Sequence, residues 1–109
     1  MKIYNLEELA DTIKSLLSNN YSVEIEKDII TISYERGVGA QVGYLPSYTG
    51  DILIQERLVN VDGLFDDRKR ELIEEFKREH RPVLQEMGRN LESKIQPNSV
   101  TYVTTSIII

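Results

Sequence analysis

Cysteine and tryptophan are missing from this 109-residue chain, histidine occurs once and proline three times. Without cysteine there is no disulfide framework, thiolate metal site, iron–sulfur cluster or cysteine nucleophile. Long apolar runs are missing as well. No stretch approaches the roughly 20 residues needed to cross a bilayer, and the opening MKIYNLEELADTIK is broken by Glu7, Glu8 and Asp11, unlike the apolar core of a secretory signal. Excess positive charge is also absent, since 13 Lys and Arg face 18 Asp and Glu for a net charge of −5. Nucleic-acid binders draw their affinity chiefly from cationic side chains, so that class is disfavoured. The expectation from these absences is a cytoplasmic protein with no membrane contact, no cofactor and no metal.

The length suits one domain over residues 1–109, large enough to bury a core and too small for two. Asn5 before Leu6-Glu7-Glu8 is an N-cap with an acidic third helical position. Leu6, Leu9, Ala10, Ile13, Leu16 and Leu17 then recur at spacings of three and four, which predicts a helix with one apolar stripe that ends near Asn19-Asn20. Tyr21, Val23 and Ile25 alternate with polar residues, Lys27-Asp28 interrupts, and Ile29 to Tyr34 resumes a β-type run; this is a hairpin pattern. Val38, Ala40, Val42 and Tyr44 alternate with Gly39, Gln41 and Gly43, giving either a third, glycine-weakened strand or a loop. Asp51 to Val61 reads as a fourth strand.

From Leu64 to Ile95 the apolar residues Phe65, Leu72, Ile73, Phe76, Val83, Leu84, Met87, Leu91 and Ile95 fall within roughly 140° of one helical wheel. A helix of that span is roughly 48 Å long, whereas a domain of this size has a radius of gyration near 13 Å. Pro82 kinks such a helix, and because the stripe holds its phase the expected path is bent and continuous. The last eleven residues, SVTYVTTSIII, hold no charge, glycine or proline and read as a strand that needs pairing on both sides or a cover. The resulting fold class is α+β: an N-terminal helix, an antiparallel meander, a long Pro82-kinked helix and a C-terminal strand that joins the sheet.

Candidate chemistry is sparse. The segment from Arg36 to Gly50 holds four of the six glycines together with Tyr44 and Tyr48. Glycines admit a ligand to the backbone and tyrosines offer rings and hydroxyls, so Arg36, Gly39, Gly43, Tyr44 and Tyr48 are ligand-binding candidates. The spacing matches no phosphate-binding fingerprint. His80 lies within the apolar stripe of the long helix, where an imidazole serves as a packed interface residue or as the base of a hydrolase or isomerase. The acidic pairs Glu7/Glu8, Asp66/Asp67 and Glu74/Glu75 diverge on helix surfaces. Glu74 with Arg78 is a supportive surface pair, and the bases Arg68, Lys69, Arg70, Lys77, Arg78, Arg81 and Arg89 form a solvated face diluted by acids.

The overlong stripe and the uncharged last strand together point to a non-enzymatic interaction or regulatory protein acting as a homodimer, with a further protein partner. The expected interface comprises Phe76, His80, Val83, Met87 and Leu91 of the helix with Tyr102, Val103 and Ile107 of the strand. The alternatives are a small-ligand binding domain built on segment 36–50, and the His80 enzyme.

Overall fold

The computed structural model describes residues 5–35, 38–45, 51–58, 66–95, 97 and 99–108. Asn5 caps the first helix, α1 (Leu6–Leu16), its side chain accepting from the Glu8 amide at 2.8 Å. This satisfies one of the orphan donors at a helix start. The helix buries Leu9, Ala10 and Ile13. Strands β1 (Ser22–Glu26) and β2 (Ile29–Glu35) form the expected hairpin, with Lys27 at φ 59° in its turn. The glycine-weakened stretch is a strand, β3 (Val38–Leu45), followed by β4 (Asp51–Leu58). After the helices comes β5 (Ser99–Ile108).

The sheet has the order β1-β2-β3-β4-β5. The first four strands are an antiparallel meander and β5 lies parallel to β4, Ile54 opposite Tyr102. A parallel neighbour requires a crossover, and the long helical segment supplies it. Among the described residues, helices cover one face of the sheet. Ile30, Ile32, Ala40, Val42, Ile52 and Ile54 point from the sheet into one core with Leu9 and Ile13 of α1 and with Leu72, Phe76, Leu84, Met87, Leu91 and Ile95. A fully buried side chain of this kind contributes about 1.5–3 kcal/mol relative to exposure.

The crossover consists of α2 (Asp66–Glu75), a π-helical turn (Phe76–His80) and α3 (Arg81–Ile95). At about 1.5 Å per residue this path fits only along the longest of the molecular dimensions, 46 × 23 × 22 Å. The expected start at Leu64 lies outside the described residues. Continuity through Pro82 holds, but the single phase of the stripe does not. On an ideal wheel the face buried before the turn (Leu72, Phe76) and the face buried after it (Leu84, Met87, Leu91, Ile95) are offset by about one residue, or about 100°. The π-turn inserts that extra residue. Arg81 donates its amide to the Phe76 carbonyl five residues back, and the wider turn makes room for the Pro82 ring, which lacks an N–H and would press on the carbonyl four residues earlier. Val83, in phase with Phe76 on an unbroken helix, is turned outward and stays 39% exposed.

Two glycines set close approaches. A Cβ at Gly39 would lie 1.8 Å from the Ile32 carbonyl oxygen, beside the irregularity where β2 slips register between Ser33 and Glu35. At Gly88 it would stand 3.1 Å from Ile54 Cδ1, so α3 rests on the sheet at its glycine. Gly39→Ala should therefore lower stability by about 2 kcal/mol or more through forced backbone displacement, read as a lower urea midpoint at unchanged slope. An unchanged midpoint would show that the strand yields freely there.

Candidate functional site

Two polar clusters meet where the π-turn joins α3, a kind of helical defect often found at functional sites. The first is built on Glu56. In β4 the alternation Ile52, Ile54, Glu56 points all three toward the helices, and Glu56 is 1% exposed. Its carboxylate takes a two-pronged bond from Arg81, Nε to Oε2 and Nη2 to Oε1, both 2.7 Å. Tyr102 of β5 donates its hydroxyl to the same Oε2 at 2.8 Å. One carboxylate thus ties β4, α3 and β5 together. A buried charge is tolerated only when paired and hydrogen-bonded, and this one is both.

The second cluster surrounds His80, the last residue of the π-turn. Its Nδ1 lies 2.7 Å from the Tyr21 hydroxyl. The Tyr34 ring is stacked on the imidazole at a centroid distance of 3.6 Å, and the Tyr34 hydroxyl donates to Glu75 at 2.6 Å. Tyr34 follows Ile30 and Ile32 on the helix-facing side of β2, at the register slip. Phe76 borders the imidazole at 6.2 Å. His80 Nε2 is buried without a hydrogen-bond partner.

Burial raises the Tyr21 phenol above its ordinary pKa, and the Glu79 carboxylate adds to the shift. Tyr102 is raised further, by burial first and then by its bond to Glu56 and the charge of that carboxylate, with Arg81 opposing. The Arg81 guanidinium is raised chiefly by its bond to Glu56. These shifts favour protonated phenols and a protonated Arg81. Among the described residues no hydroxyl nucleophile of Ser or Thr is hydrogen-bonded to His80, and no set of His, Asp and Glu converges for a metal.

Of the ligand-binding candidates, Arg36 and Tyr48 lie outside the described residues, as does the side chain of Tyr44. Gly39 is required by backbone packing, and Gly43 has open space where its side chain would be. Phe76, Met87 and Leu91, expected at an interface, sit inside the protomer's own core, and Tyr102 is engaged with Glu56. Val83 and Val103 keep surface available, while the Ile107 side chain lies outside the described residues. Glu74 pairs with Lys77 at 3.8 Å and Arg78 with Glu79 at 3.7 Å, replacing the expected Glu74–Arg78 pair.

Arg81 departs most from expectation. Its sequence position puts it on a solvated face, yet it reaches Glu56, because the π-turn rotates the helix just before it. Sequence reasoning also missed Glu56, although the period-two alternation with Ile52 and Ile54 put a carboxylate in phase with the core. Beside this cluster α3 and β5 enclose a groove of about 240 Å³ lined by Gln85, Gly88, Arg89, Glu92, Val100 and Tyr102. No described helix is long and apolar enough to cross a membrane. Neither a family model, nor a curated protein, nor a solved structure matches the chain.

Arg81→Met should cost about 3 kcal/mol by stranding a buried carboxylate, the low end of the usual range because Arg81 keeps 23% of its side chain exposed. Adding Glu56→Leu should recover most of that loss in a double-mutant cycle of urea unfolding. Additive losses would show that the two side chains act independently. The raised phenols set a pH dependence with a definite sign. Below about pH 10, the ordinary phenol pKa, folded and unfolded chains hold the same tyrosine protons. Above it the unfolded chain releases protons that Tyr21 and Tyr102 retain when folded, so stability falls. Tyr102→Phe should flatten this alkaline fall in thermal melts, and an unchanged slope would assign it to other groups.

Proposed function

We propose that the chain is a non-enzymatic interaction protein that works as a homodimer, joined through the edge of β5 that has no neighbour among the described residues. The observation that carries this reading is the edge itself. Among the described residues β5 has one neighbour, β4, and its other side presents the backbone of a ten-residue strand. The strand SVTYVTTSII contains no charge, proline or glycine to discourage pairing. A second copy related by a two-fold axis supplies an identical edge, and antiparallel pairing of the two merges the sheets into one.

The flanking surface supports a second copy as the occupant. In such a pair each α3 lies beside its counterpart, and the groove it shares with β5 is rimmed by Arg89 and Glu92, opposite charges three residues apart. Within each protomer Arg89 is paired with Glu86, and two-fold symmetry brings it toward the other copy's Glu92 as a second partner. Val103 and the exposed Thr101 and Thr104 sit on the pairing strand. The polar clusters favour a structural rather than chemical role for the centre of the molecule. Both Glu56 oxygens are occupied, and His80 Nδ1 is bonded to a tyrosine that burial keeps protonated.

Light scattering coupled to size exclusion should give twice the protomer mass, independent of loading concentration. The double variant Thr101→Lys with Thr104→Lys, both at exposed positions, should give a monomer with an unaltered far-ultraviolet circular dichroism spectrum. A wild-type chain that stays monomeric up to high concentration, or a dimer untouched by the lysines, would overturn the edge-joined assembly.

A further inference from the structure

The sheet face turned away from the helices carries Thr31, Ser33, Leu53, Gln55, Arg57, Thr101 and Val103, by the alternation of each strand with its inward residues. Leu53 is 45% exposed, as expected for an uncovered face, but Arg57 is only 8% exposed and Thr31 4%. Arg57 Nη2 donates to Ser33 Oγ at 3.2 Å. Its Nε is buried without a partner, and so is Thr31 Oγ1. Among the described residues no carboxylate pairs with this guanidinium.

A buried cation without a counter-charge is expensive, and most ionisable groups escape the cost by shedding the charge. Arginine cannot, since its guanidinium stays protonated at any ordinary pH. The register explains how the group is positioned. Ser33, Gly39 and Arg57 form one row across β2, β3 and β4, and Gly39 carries no side chain, so the guanidinium crosses β3 to reach Ser33. Thr31 stands two residues from Ser33 on the same face. We propose that Arg57, Ser33 and Thr31 form a binding site for a small-molecule oxyanion, a phosphate or a carboxylate. The planar guanidinium edge suits two oxygens of such a group, and the two hydroxyls can each give it a further hydrogen bond.

The proposal is independent of the edge-joined dimer and is tested on the full wild-type chain. Thermal melts are compared after long equilibration in sodium phosphate, sodium malonate and sodium chloride of matched ionic strength. At roughly ten times its dissociation constant a bound anion should raise the midpoint by about 5 °C over chloride. Phosphate also stabilises proteins by exclusion from their surface, so the rise must disappear in Arg57→Met and shrink in Thr31→Val. Phosphate alone giving the rise identifies a phosphorylated ligand class, and malonate alone a carboxylated one. Equal midpoints in all three salts, or a rise that Arg57→Met retains, overturn the site. Should Arg57→Met fail to fold, the Arg57 Nε–H resonance of the wild-type chain decides: it shifts on titration with the stabilising anion if the site is real and stays fixed if it is not.

Discussion

The carboxylate of Glu56 is the point on which the second half of the molecule is hung. It leaves β4 toward the helices, takes the guanidinium of Arg81 from the start of α3 and the hydroxyl of Tyr102 from β5. These three elements are the strand, crossover and returning strand of the one parallel unit in the described sheet. Parallel pairing offers no tight turn to fix its register, so a directional contact inside the unit has a task that hydrophobic packing alone does poorly. An ion pair with fork geometry and a third hydrogen bond accepts one alignment of strand, helix and strand.

The π-turn is what lets this contact exist. Without the residue it inserts, the face buried by Leu72 and Phe76 would continue to Val83, and the face carrying Leu84, Met87 and Leu91 would be rotated partly away from the sheet. The turn also brings His80 between Tyr21 and Tyr34 and places the Pro82 ring where an ordinary helix would resist it. Helix defect, histidine cluster and ion pair are therefore one arrangement, reached through consecutive residues of the chain.

Most of the architecture was legible because it rests on local periodicity. The Asn5 cap, the stripe of α1, the Lys27-Asp28 turn and the strand that starts at Asp51 each follow from residue spacing alone, and each stands in the structure. The glycine-rich stretch resolves as β3 because its neighbours on both sides pair with it, a tertiary contribution that overrides weak local propensity. The long helix was legible as a path but not in its phase. A wheel drawn at 100° per residue cannot register an inserted π-turn, so Val83 was grouped with the core and Arg81 with the solvent. The polar clusters were illegible for a related reason, since their members are drawn from the residue before β1, from β2, β4 and β5 and from the helices, and converge only in three dimensions. That the last strand needs pairing was legible from its composition, but its place beside β4 is set by the crossover.

The order in which contacts can form gives the parallel strand another meaning. The meander is stitched by short turns and closes cheaply, whereas joining β5 to β4 must first close a loop that contains the whole helical crossover. During folding, β4 therefore stands with an open edge while β5 is still being delivered. The same slot can be filled by the β5 of another chain, which carries the same Tyr102 to the same Glu56 and satisfies the same bonds. Were β5 exchanged between copies, that route would gain weight with protein concentration during refolding, and the length of the crossover would set the concentration at which the two routes balance.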